Sequence, residues 1–94
     1  MPVRLSDDEA DELLRTLAHP ARREILRLCW DFPVTAGDLS RSVGLAAASM
    51  SEHLKVLRKS GLVVLTKEGT YRWYRADPSR LRRLERWLHE FVHP

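Results

Sequence analysis

The sequence predicts an α+β fold that is mostly α, a winged helix-turn-helix, in one domain over residues 1–94. Two amphipathic segments joined by a short glycine-containing turn, within residues 36–60, indicate a helix-turn-helix. Two β-rich segments around a turn follow at once, within residues 62–75, and predict the hairpin known as a wing. A composition of 44% hydrophobic and 31% charged residues suits one small globular domain.

The first helix is expected at about 6–17. Ser6 and Glu9 have the Ser-x-x-Glu spacing of a capping box, in which each side chain bonds the other residue's backbone N–H. The helix then carries one apolar stripe, formed by Ala10, Leu13, Leu14 and Leu17. A stripe of this kind faces a core or a partner, so this helix is expected to pack against other helices of the chain or against a second chain.

The second helix is expected at about 20–30, ending before Pro33. Pro20 suits the first position of a helix, where its missing N–H has no partner to lose. Apolar residues recur at i, i+3, i+4 and i+7, namely Ile25, Leu28, Cys29 and Phe32.

The third and fourth helices make the predicted helix-turn-helix. Thr35 and Asp38 look like an N-terminal cap, and Gly44 suits a C-terminal stop, which predicts a short helix at about 36–43 with Leu39 and Val43 buried. The fourth helix ends at Ser60–Gly61, and its core-facing residues are Met50, Leu54 and Leu57.

The wing and the last helix complete the chain. Residues 67–70 read Lys-Glu-Gly-Thr, a hairpin turn between two β-rich segments. In this hairpin Lys67, Thr70, Arg72 and Arg75 offer hydrogen-bond donors, and Tyr71 and Trp73 are expected on the opposite face. Asp77-Pro78 opens a last helix at 77–92, with Leu84, Trp87, Leu88 and Phe91 at i, i+3, i+4 and i+7.

Composition narrows the class of protein. The single cysteine, Cys29, has no partner in the chain, which favours the reducing cytoplasm and excludes multi-cysteine metal sites. No apolar run approaches the roughly 20 residues of a membrane span, and Met-Pro-Val-Arg-Leu leads into acid rather than a signal-peptide core. The net charge is +3, but residues 1–19 hold five acids against two arginines. A basic body behind an acidic first helix suits nucleic-acid binding.

Three motifs give the chain a family resemblance. They are Leu17-Ala-His-Pro-Ala-Arg-Arg-Glu-Ile-Leu26, Glu52-His-Leu-Lys-Val-Leu-Arg-Lys-Ser-Gly-Leu-Val63 and Tyr71-Arg-Trp-Tyr74. Together they resemble the ArsR-type winged-helix repressors of bacteria over about residues 10–88, and more narrowly their metal-independent autorepressor branch. The resemblance implies a homodimeric transcriptional regulator in which the first and last helices form the dimer interface and the fourth helix enters the major groove.

The expected DNA-contacting surface follows from this placement. Opposite the core stripe of the fourth helix lie Ala48, Glu52, Lys55 and Lys59, which by spacing alone also fit an ordinary solvated face. For Arg72 the alternative is an arginine in water, and for His53 a hydrogen-bonded histidine at the core rim. The expected DNA-binding residues are Arg41, Ala47, Ala48, Ser49, Ser51, Glu52, His53, Lys55, Lys59, Lys67, Thr70 and Arg72.

The start of the fourth helix has two interpretations. In the register of the family it begins near Ala46, and Glu52 faces the groove, where it would accept from a cytosine amino group. In a local register it begins at Ser49, whose Ser-x-x-Glu spacing would fold Glu52 back onto the backbone. The family register is favoured because alanine is a strong helix former and tertiary context overrides a cap. Three alanines at positions 46–48 leave little direct base readout, so DNA shape is expected to contribute.

The apolar stripe of the last helix is too large for one side of a small domain to cover. A homodimer is therefore expected, although the stripe would otherwise pack within its own chain. The expected interface residues are Leu13, Leu14, Leu17, Leu84, Trp87, Leu88 and Phe91. A two-fold dimer places its recognition helices roughly 34 Å apart, which predicts an inverted-repeat site.

A zinc-hydrolase motif also occurs by sequence. His89-Glu-Phe-Val-His93 matches H-E-x-x-H, but it lies at the fraying C-terminal end of the last helix, which is expected to supply neither a third ligand nor a substrate cleft, so no catalytic residue is expected. Metal sensors of the resembled family often carry ligands on the last helix, yet Asp77-Pro78-Ser79 lacks the partner histidine of that pattern. We therefore expect no metal, no cofactor and no small-molecule ligand. A metal-responsive sensor and a winged-helix module that binds protein remain the alternatives.

Overall fold

A computed structural model describes residues 4–94. Residues 1–3, which enter the argument against a signal peptide, lie outside the described residues. The elements in chain order are α1 (Asp7–Leu17), α2 (Pro20–Leu28), β1 (Val34–Thr35), α3 (Ala36–Val43), α4 (Ala47–Lys59), β2 (Val63–Glu68), β3 (Tyr71–Ala76) and α5 (Ser79–Val92). The predicted winged helix-turn-helix is confirmed, with one strand more than expected.

Local capping explains where the helices begin. Ser6 Oγ accepts from the Glu9 backbone N–H at 3.1 Å, and Glu9 Oε1 accepts from the Ser6 N–H at 3.0 Å, which confirms the predicted capping box of α1. Thr35 Oγ1 accepts from the Asp38 N–H at 3.2 Å and caps α3 in the same way. Side chains that satisfy first-turn N–H groups stabilise these helix starts against fraying.

The additional strand is β1, whose two residues pair with the wing. The sheet has the order β1-β3-β2 and is antiparallel, with Val34 opposite Tyr74 and Thr35 opposite Trp73. The Ala76 N–H also donates to the Cys29 carbonyl at 2.9 Å. These bonds tie the wing to the segment between α2 and α3, so the hairpin is anchored to the helical body.

The core lies between the helices and the inner face of this sheet. Its largest fully buried side chains come from α1 to α4 and from the segments that follow α2 and α4: Leu13, Ile25, Leu39, Met50, Leu57, Leu62 and Cys29. The predicted burial of Met50, Leu54 and Leu57 on α4 is confirmed. Burial raises the pKa of the Cys29 thiol above its usual range, so this cysteine remains a protonated core residue.

The predicted stripe of the second helix is only partly correct. Ile25 and Cys29 are buried, but α2 ends at Leu28, and both Leu28 and Phe32 are exposed. Phe32 lies beyond the helix, so its i+7 spacing does not place it on the buried face. Within residues 4–94, no helix has both the length and the apolar character needed to cross a membrane.

Candidate nucleic-acid interface

The turn between α3 and α4 is short and closed by a glycine. Gly44 adopts the left-handed conformation with φ of 77°, and the N–H groups of Gly44 and Leu45 both donate to the Ser40 carbonyl, at 2.9 and 3.1 Å. This arrangement satisfies the Ser40 carbonyl near the end of α3 and turns the chain sharply. Only residues 44–46 separate the helices, so α4 is held firmly against α3.

The helix α4 begins at Ala47 with Ala46 as its N-cap, so it follows the family register and not a start at Ser49. No side chain caps this end. The first-turn N–H groups are therefore open to an outside acceptor, where the positive end of the helix dipole favours an anion. Glu52 lies in the second turn and is exposed rather than folded back as a cap.

The exposed face of α4 combines small and basic side chains. Ala47, Ala48, Ser49, Ser51, Glu52, Lys55 and Lys59 are all exposed, as a contact surface requires. Arg58 is exposed as well and was not among the expected residues. Ser51, Lys55 and Arg58 follow one another at i, i+4 and i+7, so they form one line along the helix. That spacing is the signal by which the sequence could have identified Arg58.

Arg41 on α3 is exposed but already paired. Its guanidinium forms an ion pair with Asp38, one turn earlier on the same helix. A phosphate group would have to compete with Asp38 for Arg41, which reduces the net charge that α3 offers.

His53 contacts its own chain. Its Nδ1 accepts from Arg22 Nε on α2 at 3.2 Å, and its ring centroid lies 6.2 Å from that of His19. Burial lowers the pKa of the His53 imidazole below its ordinary value, and the charges of Arg22 and His19 lower it further. The half-buried ring is thus a neutral acceptor at the core rim, with only Nε2 left for a further contact.

The wing tip presents two cations on one face. Lys67 lies opposite Arg72 in the register, two positions along from Leu65 and the buried Tyr74, so both face the side of the sheet that packs on the helices. Thr70 is exposed in the connecting turn. Arg75 was expected beside these donors, but it pairs with Val64 on the other face, with Tyr71 and Trp73. Side chains alternate along a strand, so Arg75, three positions after Arg72 on β3, faces the opposite side.

The expected dimer residues divide into exposed, half-buried and buried groups. Leu14, Leu88 and Phe91 are exposed, and so is Val92, which was not predicted. Leu17 and Trp87 are half-buried. Leu13 and Leu84, in contrast, are buried within their own chain and offer no surface to a second one. This corrects their expected role, because both belong to the core of their own chain.

Trp87 links the two helices by a polar contact. Its Nε1 donates to Asp7 Oδ1 at 3.1 Å, and its ring stacks on Phe91 with centroids 5.8 Å apart. The indole therefore orients the exposed C-terminal part of α5 relative to α1.

In the described part of the single chain, the H-E-x-x-H motif brings only two imidazoles together. His89 and His93 lie near each other on α5, with ring centroids 4.5 Å apart. Nowhere in the described chain do three or more His, Cys, Asp or Glu side chains come together as a metal site would need. Two imidazoles alone leave a zinc ion short of its usual protein ligands.

Sequence similarity connects this chain to known regulators. Residues 17–66 match the model of a family described as a helix-turn-helix domain. The chain is 35% identical over 81 residues to the HTH-type transcriptional regulator Rv2034 of Mycobacterium tuberculosis, covering 86% of this chain and 76% of that one. It is 24% identical over 82 residues to the transcriptional repressor SdpR of Bacillus subtilis, covering 87% and 91%. The chain spans about half the length of two other matching regulators of Mycobacterium tuberculosis, 52% of each.

Solved structures show the same architecture. An ArsR-like transcriptional regulator from Rhodococcus sp. RHA1 superimposes with a TM-score of 0.87 at 26% identity, covering 92% of this chain and 79% of that one. The homodimeric winged helix-turn-helix DNA-binding domain Mb0332 from Mycobacterium bovis superimposes with a TM-score of 0.73 at 24% identity, covering 97% and 90%.

Proposed function

Since the chain belongs to the ArsR family of winged helix-turn-helix transcriptional regulators, we propose that it represses transcription by binding an operator as a homodimer. Members of this family are DNA-binding regulators and not enzymes. Repression acts by occupancy, because a protein bound across a promoter blocks access to it. The name of the Bacillus subtilis relative supports this direction of control.

The observation that carries the proposal is the exposed line on α4. Ser51, Lys55 and Arg58 lie along it, while Met50, Leu54 and Leu57 hold the opposite side in the core. Such a helix has one rigid face and one free face, and the free one is basic. The major groove admits an α-helix, and cations on it neutralise phosphates.

This helix offers few side chains that can read base edges. Ala47 and Ala48 reach only thymine methyl groups, and Ser49 and Ser51 offer short hydroxyl donors. Glu52 is placed to accept from a cytosine amino group. The open N-terminus of α4 adds backbone N–H donors that position a phosphate without reading sequence. Operator choice therefore depends strongly on DNA shape and on the spacing of half-sites.

The wing supplies a second contact. Lys67 and Arg72 lie side by side near its tip. We assign them to the phosphate backbone or the minor groove beside the major-groove contact, where arginine is favoured by a narrow groove. Thr70 in the turn adds a hydroxyl donor.

Dimerisation uses the uncovered apolar surface of α1 and α5. Leu14, Leu88, Phe91 and Val92 are exposed there, and an apolar surface of this kind is a usual site of association. A two-fold axis through it presents two copies of α4 roughly 34 Å apart, one helical turn of DNA. The operator is then an inverted repeat with half-sites one turn apart.

Metal is not required in this proposal. His89 and His93 are the nearest to a metal site that the described chain offers, and two imidazoles on one helix do not complete a zinc site. DNA binding should accordingly be the same with zinc, with a chelator, and in a variant that lacks both histidines.

The decisive experiment is selection of bound sequences from a random DNA pool. An enriched inverted repeat, bound in a gel shift with steep loss of affinity as salt rises, is the expected result. A stable dimer that enriches no sequence would instead favour a winged-helix module that binds protein. Zinc-dependent enrichment that is lost with His89→Ala and His93→Ala would favour a metal sensor.

A further inference from the structure

A cleft separates the N-terminal segment from α5. It has a volume of about 260 Å³, close to the lower end of the roughly 300–1,000 Å³ of small-molecule sites. Its lining residues are Arg4, Leu5, Ser79, Arg82, Arg83, Arg86, Trp87 and Glu90. None of these belongs to the proposed DNA-contacting surface.

The charge of this cleft is strongly positive. Four arginines line it against a single carboxylate, that of Glu90, and Glu90 is already bonded to Arg4 at 2.9 Å. In the described part of the chain, Arg82, Arg83 and Arg86 form no ion pair. Arg82, Arg83 and Arg86 therefore line the cleft from one helix without a direct ion pair of their own, and Arg83 also acts on the Glu9 carboxylate by its charge, which helps to lower the pKa of Glu9.

Apolar surface separates these charges from the protein interior. Leu5 is buried, and Trp87 is half-buried with its Nε1 already donating to Asp7. The indole thus contributes apolar surface to the cleft and no free donor. A site that combines several cations with an apolar wall suits molecules that have both an apolar body and an anionic end.

We infer that this cleft binds a small organic anion with an apolar body, such as a medium-chain carboxylate. The carboxylate is held by Arg82, Arg83 and Arg86, because the planar guanidinium matches a carboxylate in bidentate geometry. The hydrocarbon part lies against Leu5 and Trp87. A bare inorganic anion would leave that surface unused.

The cleft borders the dimer surface that the proposed function uses. Trp87 lines the cleft and stacks on the exposed Phe91, so an occupant would touch the residue that orients this part of α5. A regulatory effect of the anion rests on the proposed function. Binding itself does not, and it is measured without DNA, so its failure and the failure of DNA binding are distinguishable.

Titration calorimetry of the full chain with octanoate tests the site. Octanoate should bind, whereas octanamide lacks the charge and acetate lacks the chain, so both should bind at least about tenfold more weakly. Inorganic phosphate should also bind weakly. The variant Arg86→Gln should weaken octanoate binding by about tenfold, since a charge-assisted hydrogen bond is lost.

The matched control is Arg27→Gln on α2, an exposed arginine outside the cleft that forms an ion pair with Glu24. It should leave octanoate binding unchanged, and circular dichroism should show both variants folded. Equal binding of octanoate and octanamide, equal binding of octanoate and acetate, or an Arg86→Gln variant that binds like the parent would each overturn the assignment. So would phosphate binding as tightly as octanoate.

Discussion

The hydroxyl groups of Thr16 and Ser60 lie 3.0 Å apart in the protein interior, with relative exposures of 4% and 2%. Thr16 Oγ1 also donates to the Glu12 carbonyl at 3.0 Å, so the proton between the two hydroxyls comes from Ser60. Thr16 belongs to α1, and Ser60 is the C-cap of α4. The helix proposed for dimerisation and the helix proposed for DNA recognition are therefore joined by a buried polar contact.

Removing one partner of this contact should destabilise the protein. Thr16→Val keeps the shape but leaves the Ser60 hydroxyl buried without its acceptor, at a cost of about 1–3 kcal/mol. Urea unfolding measures the loss. The double variant with Ser60→Ala should be less destabilised than the sum of the single variants, because no orphaned hydroxyl remains. Additive losses would mean that the hydroxyls do not interact.

The elements that local signals specify were predicted closely. The capping box of Ser6 and Glu9 and the left-handed position of Gly44 involve only neighbours along the chain, and both appear as expected. The strand β1 was missed for the opposite reason. A strand of two residues is too short to show an alternation of apolar and polar positions. Val34 is in a strand only because it pairs with Tyr74, far along the chain.

Periodicity predicted the face of each helix but not what covers it. Leu13 and Leu14 belong to one apolar stripe, yet Leu13 is buried by its own chain and Leu14 is exposed. The width of the stripe indicates that apolar groups pack on it. Which of its residues are covered by the same chain depends on the positions of the neighbouring helices. The Arg22–His53 hydrogen bond was beyond sequence reasoning for a similar reason, since it joins separate helices.

Stability should fall as the pH is lowered through the range in which an unfolded histidine titrates. The pKa of His53 is lowered in the folded state, chiefly by burial and then by Arg22 and His19. Below the ordinary histidine pKa of about 6.5, the unfolded chain takes up a proton that the folded chain refuses. The penalty is absent at high pH, grows as pH falls through about 6.5, and levels off below the folded pKa.

Urea midpoints measured between about pH 7.5 and about pH 5.5 report this effect. The variant His53→Gln retains an acceptor for Arg22 but cannot titrate, so its midpoint should depend less on pH than that of the parent. A midpoint that depends more steeply on pH in the variant than in the parent would show that protonation of His53 stabilises the folded protein.

Two classes of substitution on α4 should behave differently toward DNA. Lys55→Ala and Arg58→Gln each remove a phosphate contact, so affinity should fall alike for all sequences and the salt slope should decrease by about 1. Ser51→Ala should instead alter sequence preference, because a hydroxyl near the start of the helix reaches base edges.

Binding curves for operator and scrambled DNA at several salt concentrations distinguish these outcomes. Arg27→Gln on α2 removes an exposed charge away from this face and serves as the control for net charge. If Ser51→Ala weakens both DNAs equally while Lys55→Ala changes sequence preference, the assignment is wrong. Ser51 would then contact phosphate and Lys55 would contact bases.

A charge placed on the apolar end of α5 should dissociate the dimer. Phe91 is 76% exposed in the single chain, and Phe32, outside the proposed interface, is 75% exposed. Phe91→Glu buries a carboxylate if the dimer forms there, whereas Phe32→Glu leaves its charge in water. Sedimentation should show a monomer for the first variant and a dimer for the second. If only Phe32→Glu dissociated the dimer, the dimer interface would lie on the surface around the sheet and not on α5.

The uncapped start of α4 allows stability and DNA binding to be separated. Ala46 has the extended N-cap conformation but no side chain that can accept, so Ala46→Ser should add a cap to the first turn and stabilise the protein by about 1 kcal/mol. The same hydroxyl would occupy an N–H group that the proposal assigns to a phosphate. The variant should therefore unfold at higher urea concentration and bind operator DNA more weakly. A variant that is more stable and binds DNA as tightly as the parent would show that the first turn of α4 does not donate to the backbone of the duplex.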